Sequence, residues 1–265
     1  MPPALLLPLA ALVALCVVFG CLYLLARRLD NYGIVDIAWS YAFGLLVAFY
    51  AFAAPGWLPR RLLLGALAVI WSARLGTHLL LRIARHHPAE DTRYAQLRRD
   101  WAGNFAPKMA GFFQLQAASV VLLGVPFLLI ALHRDPRFHP VEFVAAALWL
   151  LAVLGEATAD AQLAAFKRHR SHRGRVCDVG LWRFSRHPNY FCEWLVWVAY
   201  FLFALAAPWG WLAVIAPAAI LYLLLRVTGI PIAEQQSLRS KGDAYHRYQQ
   251  TTSAFIPWLP RRAPR

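Results

Sequence analysis

The sequence predicts an all-α fold, a polytopic membrane bundle of roughly seven transmembrane helices with its carboxyl tail in the cytoplasm. Hydrophobic residues make up 60% of the 265-residue chain and charged residues only 15%, against about 25% charged residues in soluble globular proteins. The apolar residues form long runs, each near the ~20 residues that cross a hydrocarbon core of ~30 Å. Basic residues concentrate in alternate connecting segments, as the positive-inside rule predicts.

Each span is placed on one apolar run. The predicted spans cover residues 4–25, 34–54, 62–81, 110–132, 141–163, 191–207 and 209–227. No Lys or Arg precedes Arg27, which argues against reading the first run as a signal peptide. Between the last two runs, Pro208 and Gly210 mark either a tight turn between two short spans or a kink in one long helix that re-enters.

The net charge of +14 would suggest nucleic-acid binding in a soluble protein, but membrane topology explains it. With seven spans and the amino terminus outside, most basic residues lie on the cytoplasmic side. The connecting segments on the other side carry only Arg60, Arg61, Arg134 and Arg137. We therefore expect no nucleic-acid partner. The expected partners are the lipid bilayer and a hydrophobic small molecule, and the expected oligomeric state is a monomer. The four cysteines show no metal-ligand spacing, so no metal site is predicted. No linker divides the chain, which predicts a single membrane domain over residues 1–265.

Ionisable residues inside the spans point to function, since each costs roughly 2.5–3.5 kcal/mol on insertion scales. Three spans carry an ionisable residue that is followed four positions later, on the same helical face, by another ionisable or polar residue. They are Asp36 with Ser40, Arg74 with His78 and Arg82, and Glu156 with Asp160. Single residues of this kind also occur as structural ion pairs. Three such stripes together favour a common polar cavity.

The most specific motif covers residues 180–194, with the sequence GLWRFSRHPNYFCEW. Arg186 and His187 can contact phosphate, and Pro188 is suited to start a helix, whose amino terminus favours anions. Asn189 and Tyr190 can donate hydrogen bonds to a sugar or an amide. A basic loop that touches lipid headgroups is the alternative interpretation.

This motif resembles the carboxyl-terminal signature of the steroid 5-alpha-reductase family, in its bacterial branch. The segment 229–257, which contains Glu234, Tyr245 and Tyr248, resembles the closing segment of that family. The resemblance is strongest over residues 156–257. It implies a bacterial inner-membrane enzyme whose site opens to the cytoplasm, binds NADPH and reduces the C=C bond of a hydrophobic enone similar to a 3-oxo-4-ene steroid.

The resemblance also implies roles for particular residues. The positions that match cofactor contacts are Arg74, Glu156, Asp160, Asn189, Glu193, Arg226 and Tyr248. The basic segment from Lys167 to Arg186 is expected to form the entrance to the dinucleotide site. Asp36 matches the acidic residue that meets the substrate carbonyl, and Trp71 stands where the family has the tyrosine that polarises it. Because an indole is a poorer proton source than a phenol, Tyr94 or a water held by Asp36 could substitute.

Two other functions stay open. S-adenosylmethionine-dependent isoprenylcysteine and phospholipid methyltransferases are similar in having an Arg-His-Pro element and a later Glu, here Arg186 to Pro188 and Glu234. The Asn189-Tyr190-Phe191 continuation, Glu193 and the number of spans favour the reductase. A transporter is the third class, but no inverted repeat or paired broken helices support it.

Overall fold

The structure, a computed structural model, describes residues 2–86, 90 and 92–261. This part of the chain forms α-helices, short 3-10 and π-helical turns, and no strand. The helices are α1 (Pro3–Leu29), α2 (Ile34–Ala53), α3 (Leu58–His86), α4 (Thr92–Asp100), α5 (Phe105–Leu123), α6 (Val125–Leu132), α7 (Pro140–Arg168), α8 (Pro188–Ala204), α9 (Ile215–Tyr222), α10 (Ile230–Lys241) and α11 (Asp243–Thr251). The predicted all-α class is confirmed.

Six helical segments among the described residues are long and apolar enough to cross a membrane, and the protein is therefore an integral, multi-pass membrane protein. They are Pro3–Leu29, Ile34–Ala53, Leu58–Arg85, Ala102–Leu132, Pro140–Arg168 and Gly210–Lys241. The remaining predicted span corresponds to α8, which has 17 residues and a length of about 26 Å at 1.5 Å per residue. The number of spans and the side of the carboxyl tail stay predictions.

The described residues group into two compact units. Unit 1 comprises the chain up to residue 139 together with residues 204–216, and unit 2 comprises residues 140–203 and those from 217 onward. Within unit 1, α2 packs closely on α3, where the Ser72 hydroxyl donates to the Ser40 carbonyl at 2.6 Å and accepts from the Gly44 amide at 3.0 Å. The single domain that the sequence predicts stays a prediction.

The predicted span 110–132 lies within one apolar segment, Ala102–Leu132, but the helix there is not continuous. It begins earlier, at Phe105, and is divided at Gly124 into α5 and α6. Pro126 lies in the first turn of α6, where its missing N–H costs no helical hydrogen bond but its ring prevents α5 from continuing. The Gly124 amide closes α5 by donating to the carbonyls of Val120 and Val121, at 2.9 and 3.1 Å.

The structure resolves the choice at Pro208 in favour of a tight turn. The amides of Ala207 and Gly210 donate to the carbonyls of Ala204 and Ala207, each at 2.9 Å, and Trp209 has a φ of 61°. The predicted helix 209–227 is also irregular, because a 3-10 turn (Gly210–Val214) precedes α9 and a π-helical turn (Leu223–Val227) follows it. Tight packing sets the turn, since a methyl group on Gly210 would lie 2.0 Å from the Ala204 carbonyl oxygen.

A buried arginine organises the loop between α6 and α7, which we call the 133–139 loop. Arg60 is 0% exposed, and its guanidinium donates to the carbonyls of Asp135 at 2.7 Å and Arg137 at 2.5 Å. The Trp57 amide donates to the His133 carbonyl at 3.0 Å. The loop backbone is therefore held by hydrogen bonds from the segment that begins α3.

Replacing Gly56 with alanine should destabilise this arrangement. The new methyl group would lie 2.2 Å from the Ala131 carbonyl oxygen and 2.8 Å from that of His133, and backbone atoms cannot rotate away as a side chain does. We expect a loss of about 1–3 kcal/mol, typical of overpacking, measured as a lower thermal unfolding temperature in detergent. Gly103→Ala is the control because open space surrounds Gly103. Equal unfolding temperatures for the two variants would contradict the prediction.

Candidate functional site

Unit 1 holds a group of three polar side chains from α2 and α4, which we call the Asp36 group. Asp36 lies in the first turn of α2, and the Arg93 guanidinium contacts both of its carboxylate oxygens, at 2.6 and 2.5 Å. The Tyr94 hydroxyl donates to Asp36 Oδ1 at 2.8 Å and accepts from Arg93 at 2.5 Å. The structure thus places the Tyr94 hydroxyl against Asp36, and the role of Tyr94 as a substitute proton source stays a prediction.

Tyr94 is the buried member of the Asp36 group. Its side chain is 0% exposed, whereas the side chains of Arg93 and Asp36 are 25% and 21% exposed. Burial, together with the negative charge of Asp36, raises the pKa of Tyr94 well above its ordinary value. The phenol therefore keeps its proton at neutral pH, and the accessible edge of the group consists of the carboxylate and the guanidinium.

The other predicted site residues of unit 1 lie further along the helices. Trp71 is fully buried in α3, and its ring contacts Phe43 at 5.7 Å between centroids. Phe43 follows Asp36 by seven residues on α2, a rise of about 10 Å. Arg74 lies on α3 with its Nε and Nη2 atoms buried. Its predicted contact with the cofactor stays a prediction, as does the polar cavity shared with the stripe on α7.

Unit 2 holds a second group, in which four side chains join the 180–194 motif to the tail. We call it the tail clamp. Arg186 Nε donates to Glu234 Oε1 at 2.6 Å, and Arg186 Nη1 donates to the carbonyls of Gln249 and Thr252 at 3.0 and 2.5 Å. His187 Nε2 lies 3.3 Å from Glu234 Oε1, and Gln249 Nε2 donates to Glu234 Oε2 at 2.9 Å. The arginine that the sequence assigns to phosphate thus holds α10 and α11 to the motif.

The local sequence explains this geometry. Gly180 has a φ of +58°, a conformation that glycine adopts without strain, and it starts the 3-10 turn Gly180–Arg183. Trp182 is buried in that turn and donates from Nε1 to the Ala159 carbonyl at 2.9 Å. The Tyr248 hydroxyl hydrogen-bonds to the Trp182 carbonyl. As predicted, α8 starts at Pro188.

Asn189 lies one residue into α8 and contacts the acidic stripe of α7. Its Nδ2 donates to Asp160 Oδ1 at 3.1 Å, while its Oδ1 is buried and has no hydrogen-bond partner among the described residues. An unsatisfied buried oxygen of this kind costs about 1–3 kcal/mol, which a bound N–H or O–H donor would recover. On the same two helices, Glu156 is 4% exposed, and Glu193 accepts from Trp197 Nε1 at 3.0 Å.

A basic cavity of about 480 Å³ lies beside the tail clamp in unit 2. Its lining includes the guanidinium-bearing residues Arg175, Arg183 and Arg247, with Asp178 and Tyr248. Three guanidinium groups around one cavity suit an anionic ligand such as a phosphate. Asn189 does not line this cavity, and its buried Oδ1 can accept a hydrogen bond from an amide or a hydroxyl group.

The remaining predicted residues take varied positions in unit 2. Tyr190 stacks on His187, with ring centroids 5.3 Å apart and planes at 6°. Tyr245 packs edge-on against Tyr248 at 5.8 Å, and burial together with the Glu234 charge raises the pKa of Tyr245 to about 12. Lys167 and Arg226 are exposed. Tyr190 and Tyr245 thus lie against the tail clamp.

Two features of the structure were not predicted from the sequence. Arg93 forms the ion pair of the Asp36 group, and its position next to Tyr94 is the only signal that could have singled it out. His133, Asp135 and His139 bring ligand atoms within 4.8 Å of one another. Their spacing, His-x-Asp followed by His four residues later, resembles a metal-ligand pattern and could have been read from the sequence.

Comparison with known proteins relates this chain to one protein family. A family described as "Protein of unknown function (DUF1295)" matches residues 22–252, which include both the Asp36 group and the tail clamp. The chain belongs to the DUF1295 family. This family includes steroid 5-alpha-reductase-like proteins, whereas the assignment to the steroid 5-alpha-reductases themselves, which the 180–194 motif suggested, stays a prediction.

An uncharacterized protein of Schizosaccharomyces pombe is 26% identical over 254 residues, an alignment that covers 85% of this chain and 72% of that protein. No solved structure matches the chain. The DUF1295 match begins within α1 and ends just after α11, and it therefore includes the 133–139 loop as well.

Proposed function

We propose that this member of the DUF1295 family is a membrane-embedded, NADPH-dependent reductase of the C=C bond of a hydrophobic enone, of the 3-oxo-4-ene steroid type. The observation that carries the proposal is the Asp36 group. Reduction of an enone needs a group that supplies a proton and stabilises negative charge on the carbonyl oxygen. Methyl transfer does not need a group of this kind. Tyr94 provides a phenol, which is absent at position 71 because Trp71 stands where the steroid 5-alpha-reductase family has a tyrosine.

The unit 2 residues would bind the cofactor. The guanidinium groups of Arg175, Arg183 and Arg247 would hold phosphates, and Asn189 Oδ1 would accept a hydrogen bond from an amide or a hydroxyl group. When bound, the cofactor would supply the hydride that adds to the β carbon of the enone. The basic segments around this cavity fit a site that opens to the cytoplasm of a bacterial inner membrane.

The Asp36 group would act on the substrate carbonyl. The partly exposed Arg93 guanidinium would contact the oxygen, where negative charge develops as the β carbon accepts hydride, and a fixed cation stabilises that charge. Tyr94 would be the proton source. Its proton would pass through Asp36 Oδ1, to which the hydroxyl is hydrogen-bonded, to the α carbon of the enolate, where the second new C–H bond forms, and a phenolate would be left beside Arg93. The high pKa of Tyr94 keeps the proton in place until the basic enolate forms.

Asn189→Ala should weaken NADPH binding about tenfold, equivalent to 1.4 kcal/mol, which is near the upper range for one hydrogen bond. The reason is that Oδ1 is a buried acceptor in unit 2 for which the described residues offer no hydrogen-bond donor. Titration of the purified protein with NADPH, followed by cofactor fluorescence, measures the effect. Asn104→Ala, at an exposed position, is the control. An unchanged dissociation constant for Asn189→Ala would place the cofactor elsewhere.

An S-adenosylmethionine-dependent methyltransferase is the second candidate, because Arg186, His187 and Glu234 meet in the tail clamp. These are the residues that carry the resemblance to isoprenylcysteine and phospholipid methyltransferases. A thermal-shift comparison separates the two functions. The reductase predicts that NADPH raises the unfolding temperature and that S-adenosylmethionine does not; the opposite result would refute it.

A further inference from the structure

We infer that the 133–139 loop binds a divalent transition-metal ion through His133, Asp135 and His139, with Zn²⁺ as the first candidate. This site lies outside the Asp36 group and the tail clamp and does not depend on the proposed reductase activity. One ligand atom from each residue lies within 4.8 Å of the other two. Two imidazoles and one carboxylate form a donor set that suits zinc, iron and related ions.

Two of the three ligand atoms are already at a spacing that one ion requires. His139 Nε2 lies 3.2 Å from Asp135 Oδ2, close to the separation of two neighbouring ligands on a tetrahedral ion whose bonds are about 2.0–2.1 Å long. The rings of His133 and His139 are nearly parallel, at 13°, with centroids 5.8 Å apart. The three ligand atoms lie within 4.8 Å of one another, so that binding one ion requires the side chains to draw closer.

Two arginines hold parts of the loop in place: Arg137 contacts the Asp135 carboxylate, and Arg60 contacts the loop backbone. Arg137 Nε lies 3.3 Å from Asp135 Oδ1, the oxygen opposite to the one that faces His139, and so fixes the direction of the carboxylate. Arg60 holds the loop backbone by the hydrogen bonds that its guanidinium donates to carbonyl oxygens. Its positive charge opposes a cation, but the guanidinium is directed at the backbone and Asp135 supplies a compensating negative charge.

The accessibility of the ligands favours a site that solvent can reach. His133 is 9% exposed, whereas the side chains of Asp135 and His139 are 24% and 39% exposed. An ion can therefore enter from the side of these two residues. Three protein ligands leave at least one coordination position for water, the arrangement found in open rather than closed zinc sites.

The test uses the full chain without a polyhistidine tag, purified in detergent and freed of metal with a chelator. Zn²⁺ binding is measured by calorimetry, and Co²⁺ serves as a spectroscopic probe because its visible bands report the coordination geometry. We expect one ion per chain. His139→Ala and Asp135→Asn should each weaken Zn²⁺ binding at least about tenfold. Loss of a residue that only orients a metal ligand already costs about 10–100-fold in affinity, and loss of a ligand should cost no less.

His246→Ala removes an exposed histidine from α11 and is the matched control, which should bind Zn²⁺ like the wild type. Unfolding temperatures in the absence of metal verify that each variant is folded. The inference is wrong if the wild-type chain binds no Zn²⁺, or if His139→Ala and Asp135→Asn bind it as tightly as His246→Ala does.

Discussion

Tyr94→Phe is expected to lower the turnover of NADPH-dependent enone reduction by about 10²–10⁴-fold, the range for loss of a general acid, and to leave the dissociation constant of NADPH unchanged. The hydroxyl is the hydrogen-bonded proton source of the Asp36 group, at 2.8 Å from Asp36 Oδ1. Phenylalanine keeps the buried ring and the ion pair between Asp36 and Arg93, so that the fold should be retained. Steady-state kinetics with an enone substrate and cofactor titration measure the two quantities.

Two further variants make this prediction specific. Tyr222→Phe alters an exposed tyrosine of α9 and should have wild-type turnover. Asp36→Asn should also lose turnover without losing NADPH affinity, because the amide cannot pass the proton as a carboxylate does. Wild-type turnover in Tyr94→Phe would show that another group supplies the proton. Loss of NADPH affinity in either variant would assign the Asp36 group to the cofactor instead.

Arg186→Ala is expected to lower the free energy of unfolding by about 3 kcal/mol, as for removal of one partner of a buried ion pair. The Arg186 side chain is 10% exposed and that of Glu234 16% exposed, so the truncation leaves a poorly hydrated carboxylate. It also deprives the Gln249 and Thr252 carbonyls of their donor. Thermal unfolding in detergent, without any cofactor, measures the loss.

The tail should become the first part of the Arg186→Ala variant to open. Limited proteolysis, followed by mass spectrometry, should therefore find faster cleavage in α10 and α11 than in the wild type. Arg239→Ala, at an exposed position of α10, is the control and should change neither stability nor cleavage. If Arg186→Ala keeps wild-type stability and loses only NADPH affinity, the arginine binds phosphate rather than the tail.

The helices could be predicted wherever a short stretch of sequence determines where they lie or begin. Long apolar runs identified the spans, and Pro188 marked the start of α8 because proline fits the first turn of a helix. The division at Gly124 was missed because apolar residues continue through α6, and hydropathy does not detect a break that Pro126 causes. The turn at Trp209 was left open because the sequence cannot decide between a kink and a reversal of the chain.

The candidate site could be predicted only in part. Charged residues inside apolar runs were found because they are costly in a membrane, and Asp36 and Asp160 belong to this class. Their partners come from distant segments: Arg93 follows Asp36 by 57 residues, and Glu234 follows Arg186 by 48. No local pattern encodes such pairs. The tail clamp therefore changes the view of Arg186, whose motif alone suggested a phosphate ligand.

The most direct test of the reductase proposal follows the hydrogen itself. The wild-type chain in lipid nanodiscs is incubated with NADPH deuterated at the transferable position and with a panel of hydrophobic enones, and the products are analysed by mass spectrometry. The proposal predicts that at least one enone gains a single deuterium at its β carbon and that NADPH is oxidised in equal amount. No deuterium in any product, together with transfer of a labelled methyl group from S-adenosylmethionine to a lipid or isoprenoid acceptor, would contradict it.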